Sequence, residues 1–166
     1  PIVTTLQPLV AWARDSGAAI EHMVLVGQPG SGKRTLVRVI ADELGINMRV
    51  TNGTALERPG EVAAILTNLR EGDVLLIENL HMLNHAGAEV LAQAMEGYAL
   101  DVVIGKGPGA RSIRLKLPHF TIIGTTHRPD LLPFAIVGVY PLILRFQPYS
   151  CSELEVIAQQ EVGRWG

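Results

Sequence analysis

Residues 27–36, GQPGSGKRTL, differ at one position from the phosphate-binding loop pattern. That pattern requires Gly, four residues of any type, Gly-Lys, and then Ser or Thr. Gly27, Gly32 and Lys33 satisfy it, but Arg34 stands where the hydroxyl residue belongs. In such loops glycines let backbone N–H groups face phosphate oxygens, and the lysine reaches the β- and γ-phosphates. The segment therefore predicts a nucleotide-binding loop made of Gly27, Pro29, Gly30, Ser31, Gly32, Lys33, Arg34 and Thr35.

Arg34 changes the metal chemistry that this loop is expected to support. In P-loop enzymes the residue at this position gives a hydroxyl oxygen to Mg²⁺. A guanidinium has no lone pair to give and repels the cation, although it pairs well with phosphate. The loop thus predicts ATP or ADP as the ligand. It also predicts that the set of residues available to bind Mg²⁺ is compromised, because the usual hydroxyl is missing. An accidental glycine-rich turn is the alternative, which the flanking strand and helix patterns disfavour.

A second candidate motif, VLLIENL at residues 74–80, places Glu78 and Asn79 after four apolar residues. In P-loop ATPases a carboxylate at this point joins the magnesium shell, and the next one activates water. Glu78 can take the first role as a weak metal ligand. The neutral amide of Asn79 cannot accept a proton from water at physiological pH. We predict a degenerate catalytic pair; the alternative is that Glu78 is only a polar residue at a strand end.

These motifs require strands and helices that bring them together. Short apolar runs predict five strands, at residues 22–27, 47–51, 73–80, 119–129 and 141–146. Helical spacing predicts intervening helices, at residues 33–44, 60–69 and 87–98, with further helices at 8–16 and from Ser152 onward. Alternating strands and helices are typical of a doubly wound parallel α/β sheet. Two β-rich arms around a glycine-rich turn predict a β-hairpin at about residues 101–117.

Composition narrows the class of protein. The chain of 166 residues is 48% hydrophobic and 18% charged, which indicates one globular domain. Its net charge of −2 gives no bulk attraction to nucleic acid. The single cysteine, Cys151, cannot form an internal disulfide and favours a reducing compartment, and no apolar run approaches the length of a membrane span. We therefore predict a cytoplasmic protein without membrane contact.

Two histidines four positions apart, His81 and His85, suggest a metal pair. No Glu follows the first histidine in the zinc-protease pattern, and the sequence offers no evident third ligand. They are interpreted as polar residues of a loop after the acidic strand.

Four features follow one another along the chain: the glycine loop, the acidic strand, the hairpin and the segment IIGTTHRP at residues 122–129. Their order resembles that of the motifs in a known family. Residues 20–154 are similar to the AAA+ ATPase domain of RuvB-type Holliday junction branch-migration motors. Segments 40–66 and 101–129 carry the likeness, and a hairpin ahead of the sensor strand is specific to that family. The resemblance implies a large AAA+ domain over residues 1–150, and the first helix of a truncated lid subdomain over 151–166.

The resemblance also implies partners and site residues. AAA+ subunits of this family pack into a ring with ATP between subunits, a RuvA partner docks on the hairpin, and DNA is contacted indirectly or through domains outside this sequence. Thr126 matches the sensor position that responds to the γ-phosphate. The residues that would face the partner are Val103, Ile104, Ile113 and Leu115. Their alternative role is to fill the core of the domain itself.

The chain departs from the family at three points of one active site. Arg34 replaces the hydroxyl residue, Glu78-Asn79 replaces an Asp-Glu pair, and residues 137–140, VGVY, replace an Arg-x-Arg-Phe segment that supplies an arginine finger. We therefore predict a Holliday junction recombination and repair subunit that binds ATP but is impaired in hydrolysis, a pseudoenzyme used for assembly. One alternative is an active DNA-translocating motor in which Arg34 and Glu78 compensate. The other is a structural interaction domain without nucleotide.

Overall fold

Strands alternate with helices through the part of the chain that the structure, a computed structural model, describes: residues 15, 20–140 and 142–145. Its strands are β1 (Met23–Val26), β2 (Met48–Asn52), β3 (Val74–Glu78), β4 (Ala99–Ile104), β5 (Arg111–Lys116), β6 (Thr121–Thr126) and β7 (Leu142–Arg145). Its α-helices are α1 (Lys33–Leu44), α2 (Pro59–Thr67), α3 (His85–Gly97) and α4 (Phe134–Val137).

Five strands form one sheet in the order β2-β3-β6-β1-β7, and every neighbouring pair is parallel. Met23 lies opposite Ile123 and Leu142, while Val74 lies opposite Met48 and Thr121. The predicted five-stranded parallel sheet is confirmed. Because β6 lies between β1 and β3, the loops that follow these three strands meet at one edge of the sheet.

Both faces of the sheet are covered, as the uninterrupted apolar runs of the central strands predict. Alternate residues of β1 and β3 point to opposite faces. One face packs on α1, through the cluster Met23, Leu25, Val37, Ile40, Val74, Leu76 and Ile123. The other packs on α2 and α3, through a larger cluster that includes Val24, Val62, Leu66, Leu75, Ile77, Leu91 and Ile122. This confirms the doubly wound architecture.

The helix ends follow local capping chemistry. Gly45 ends α1 in a left-handed conformation, with φ of 65°, and its N–H bonds to the carbonyls of Ala41 and Asp42. This is the predicted C-cap. Helix α3 begins at His85, two residues before the predicted start, because the Asn84 side chain accepts a hydrogen bond from the N–H of Gly87 and caps the helix earlier.

The predicted hairpin is confirmed as a separate antiparallel pair, β4 and β5, in which Leu100 faces Leu115 and Val102 faces Ile113. Its turn passes through Gly105 and a short 3₁₀ segment, Gly107–Gly109. Leu100 and Leu117 are buried at the base, whereas the β5 arm is exposed along its whole length. The hairpin is therefore anchored at one end and projects from the domain.

Three predictions concern residues outside the described ranges. Of the predicted helix at 8–16 only residue 15 is described, as helical. The predicted C-terminal helix from Ser152, together with Cys151, also lies outside these ranges. No helix in the described part of the chain is long and apolar enough to cross a membrane.

A buried histidine ties the hairpin base to the sheet. His22 Nδ1 accepts a hydrogen bond of 2.9 Å from the N–H of Ile122, and its Nε2 lies 3.2 Å from the hydroxyl of Tyr98. Since Nδ1 accepts, the proton of the neutral ring belongs on Nε2, which donates to Tyr98. Burial lowers the pKa of His22 to about 4, against its ordinary value of 6.5.

We expect the free energy of unfolding to fall as the pH drops from 6.5 toward 4. Unfolded His22 takes up a proton in this window, whereas folded His22 resists protonation until pH is about 4. The contribution of His22 to stability is therefore present above pH 6.5 and is lost at up to about 1.4 kcal/mol per pH unit below it. Urea unfolding of the chain and of His22→Gln, at pH 7, 6 and 5, measures this. The stability advantage over His22→Gln should shrink as the pH falls; an advantage independent of pH would contradict the assignment.

Candidate nucleotide-binding site

A cavity of about 400 Å³ opens at the edge of the sheet where β1, β3 and β6 end. The loop after β1 forms one wall, and the residues that end β3 and β6 form the other. The lining residues are Pro29, Gly30, Gly32, Lys33, Arg34, Thr35, Glu78, Asn79, Thr125, Thr126 and His127. The structure thus brings together most of the loop residues, the acidic-strand pair and the sensor threonine, which the sequence placed in three separate motifs.

The loop has the backbone that an anion site requires. Gly30 and Gly32 have φ values of 80° and 92°, which side chains rarely allow. Gly32 immediately precedes α1, so the N-terminus of a helix of 12 residues opens toward the cavity. The N–H groups and the positive end of the helix dipole favour negatively charged ligands there.

Lys33 is held at the centre of the loop. Its Nζ donates to the carbonyl oxygens of Gly27 and Gln28, at 2.7 and 2.8 Å, and to Ser31 Oγ at 3.2 Å. Burial lowers the pKa of Lys33, and the charge of Glu78 acts against that shift. Gly27 and Ser31 therefore serve the site by holding the lysine and are not among the residues that line the cavity.

Arg34 and Glu78 form a two-pronged ion pair across the cavity mouth. Arg34 Nε lies 2.8 Å from Glu78 Oε1, and Arg34 Nη2 donates to Glu78 Oε2 at 3.1 Å. The sequence alone predicts separate roles for them, Arg34 toward phosphate and Glu78 toward metal. The structure pairs them with each other, so both carboxylate oxygens of Glu78 are in contact with the guanidinium.

Asn79 lies at the turn that follows β3, in a left-handed conformation with φ and ψ of 52°. Asparagine is among the few residues other than glycine that adopt this conformation readily. The backbone of Gly53 packs so closely on the Asn79 carbonyl that a Cβ atom at Gly53 would collide with it. Tertiary packing therefore helps to fix Asn79 at the cavity.

Thr126 is oriented by a histidine that sequence reasoning missed. His81 Nδ1 lies 2.8 Å from Thr126 Oγ1, which also accepts a hydrogen bond from the N–H of Arg128. The rings of His81 and His127 meet edge to face at 4.8 Å. His81 lies in the turn after the acidic strand, where the sequence placed it. Its contact with Thr126 was not predicted, and no sequence signal marked it beyond its position three residues after Glu78. His85 instead pairs with Glu89.

His81 favours the neutral form. Burial lowers its pKa most, the neighbouring His127 and Arg128 lower it further, and Asp130 partly opposes them. His81 Nδ1 and Thr126 Oγ1 share one hydrogen bond, and the tautomer of the ring sets which of the two is the donor. Arg128 is itself held by Asp130, through two hydrogen bonds of 3.1 and 2.9 Å.

The hairpin residues lie away from the cavity. Val103, Ile104, Ile113 and Leu115 are 68%, 54%, 41% and 40% exposed, so they do not fill the core, which was their alternative role. Cross-strand pairing places Ile104, Ile113 and Leu115 on one face, with the half-buried Val102. Val103 points to the opposite face, next to Ser112.

Comparisons with known proteins agree with this geometry. The family description "Holliday junction DNA helicase RuvB P-loop domain" matches residues 1–146. The Holliday junction branch migration complex subunit RuvB of Dehalococcoides mccartyi (strain CBDB1) is 51% identical over 148 residues, which are 89% of this chain and 42% of that protein.

Solved structures give the same result. The Holliday junction branch migration motor RuvB of Thermotoga maritima is 33% identical, with a TM-score of 0.78 over 98% of this chain and 49% of that one. A point mutant of the same protein is also 33% identical and reaches a TM-score of 0.82, over 99% and 50% of the two chains. The chain thus spans about half, or less, of the length of these relatives.

Replacing Arg128 tests the electrostatics around the sensor threonine. We expect Arg128→Gln to raise the pKa of His81, because it removes a cation and leaves the charge of Asp130 uncompensated. Arg128→Lys, which keeps the charge, should leave the pKa closer to that of the parent chain. Imidazole resonances followed by NMR through a pH titration measure both. A lower His81 pKa in Arg128→Gln would contradict the assignment.

Proposed function

Because the chain belongs to the family of Holliday junction DNA helicase RuvB P-loop domains, we propose that it is a nucleotide-binding subunit of a branch-migration assembly in DNA recombination and repair. Membership of this family implies nucleotide binding. One observation carries the proposal for this chain: the glycine loop, Lys33 and Thr126 meet around one cavity at the carboxyl edge of a parallel sheet. Ligands of open α/β sheets bind at that edge.

The ligand of this site is ATP or ADP. Its phosphates lie against the N–H groups of the loop and the N-terminus of α1, where the helix dipole is favourable. Lys33 exchanges its bonds to loop carbonyls for bonds to phosphate oxygens. Thr126 presents its hydroxyl at the end of the cavity formed by β6, as a sensor of the terminal phosphate.

Hydrolysis by this subunit is impaired. A water that attacks phosphate needs a residue to position it or accept its proton, and an amide at Asn79 is no base at neutral pH. Loss of a general base typically lowers a rate by about 100-fold or more. Residues 137–140 carry no guanidinium that could enter a neighbouring site, which removes a second large contribution to phosphoryl transfer. ATP then acts as a structural ligand that supports assembly.

The partners of this subunit are other AAA+ subunits, in a ring, and a RuvA-like protein that docks on the hairpin. The exposed apolar face of Ile104, Ile113 and Leu115 supports the second contact, because a projecting two-stranded arm has no core of its own to cover it. DNA is contacted indirectly or by other domains. Residues 1–150 form the large AAA+ domain, and residues 151–166 begin a lid subdomain. The protein works in the cytoplasm.

Removing the Lys33 ammonium tests the nucleotide site. We expect Lys33→Ala to weaken ADP affinity by at least about tenfold, because the loop loses the ammonium group that binds the phosphates. Calorimetric titration of ADP into the full chain measures the effect. Lys106→Ala, an exposed lysine of the hairpin turn, is the control and should bind ADP like the parent chain.

Three results would redirect the proposal. No ADP binding by the parent chain would favour the interaction domain without nucleotide, and equal ADP affinity in the parent chain and Lys33→Ala would place the nucleotide away from Lys33. ATP turnover by the parent chain that Lys33→Ala abolishes would favour the active motor.

A charge on the apolar face tests the hairpin contact. We expect Ile113→Asp to weaken capture of a RuvA protein by at least about tenfold, since a carboxylate would be buried against an apolar surface. Ser112→Asp, the adjacent exposed residue on the opposite face, is the matched control. Surface plasmon resonance with immobilised RuvA measures both variants. Equal binding by the two would place the partner elsewhere.

A further inference from the structure

We propose that the Arg34 guanidinium takes the place of Mg²⁺ in this site, so that the ligand is a nucleoside diphosphate or triphosphate without its metal. This inference rests on the proposed function and deepens it, because it defines the form of the nucleotide that the cavity accepts. It is carried by the two-pronged contact between Arg34 and Glu78, 44 positions apart in the chain.

The residues at the cavity do not fit the metal that the family implies. Mg²⁺ requires a nearly octahedral set of oxygen ligands at short distances. In P-loop proteins a hydroxyl at the position of Arg34 and an acidic residue at the end of the strand help to provide them. Here the hydroxyl is absent, and both oxygens of Glu78 are already in contact with the guanidinium. Thr35 lines the cavity, but a cation there would lie beside the charge of Arg34.

Arg34 is placed to contact phosphate without leaving Glu78. A guanidinium has five N–H donors, and the two contacts to Glu78 use Nε and Nη2. Among the described residues, Nη1 makes no hydrogen bond, and the Arg34 side chain is 53% exposed and lines the cavity. The planar fork can therefore hold the carboxylate along one edge and phosphate oxygens along another.

In this arrangement Glu78 orients Arg34 and does not bind a metal ion. A long arginine side chain loses rotamer freedom when it binds a phosphate, and that loss opposes binding. Pairing with Glu78 restricts Arg34 before the ligand arrives. With Lys33 beside them, the three side chains carry a net positive charge next to the N-terminus of α1, which suits a polyphosphate that brings no metal ion.

Titration of ADP into the full chain, in excess Mg²⁺ and in EDTA, tests the inference. For the parent chain we expect dissociation constants that agree within about threefold, or tighter binding in EDTA. Arg34→Thr returns the hydroxyl and releases Glu78, so its ADP affinity should be at least about tenfold higher with Mg²⁺ than in EDTA. Arg34→Gln removes the charge without returning a hydroxyl, so binding should weaken in both buffers. Arg38→Thr, an exposed arginine one turn later in α1, is the matched control and should behave like the parent chain.

The outcomes separate the inference from the proposed function. Parent-chain affinity that falls tenfold or more in EDTA would overturn the metal replacement and leave nucleotide binding intact. Metal-independent binding by Arg34→Thr, at the affinity of the parent chain, would also overturn it, since Arg34 would then contribute nothing. Failure of the parent chain to bind ADP in either buffer would overturn the proposed function, and the inference with it.

Discussion

The position of β6 between β1 and β3 is the constraint on which the site depends. Parallel pairing on both sides of β6 places the phosphate loop, the acidic strand end and Thr126 at one edge of the sheet. The absence of a side chain at Gly124 strengthens this arrangement. Leu80, in the turn after β3, packs directly against that glycine, where a Cβ atom would collide with it. The turn that carries Asn79 and His81 is thereby held against the strand that carries Thr126.

Side-chain contacts then hold the polar residues of the cavity in position. Loop carbonyls hold Lys33, Glu78 holds Arg34, and His81 holds Thr126. Each of these polar groups lies in or beside the cavity and already has a partner. A phosphate entering the cavity meets donors whose positions are set in advance, which reduces the conformational entropy lost on binding.

The base of the hairpin is tied to the same core. Tyr98 ends α3 in a left-handed conformation, its carbonyl accepts a hydrogen bond from the N–H of Leu117, and its hydroxyl contacts His22. Its ring packs edge to face on Phe120, just before β6. These contacts fix the base of the hairpin on the domain. The two arms of the hairpin, with the apolar face of Ile104, Ile113 and Leu115, remain exposed.

Local patterns in the chain were enough to predict the five strands, the helix after the loop and the hairpin. Apolar periodicity and the positions of Gly32 and Gly45 are properties of neighbouring residues in the chain. The elements they mark can therefore be predicted without knowledge of the fold. The start of α3 was misplaced because the cap formed by Asn84 competes with the hydrophobic pattern. The pairs Arg34–Glu78 and His81–Thr126 join residues 44 and 45 positions apart, and the opposite orientation of Val103 depends on hairpin register. These features follow from strand order and pairing, which long-range packing decides and no local pattern specifies.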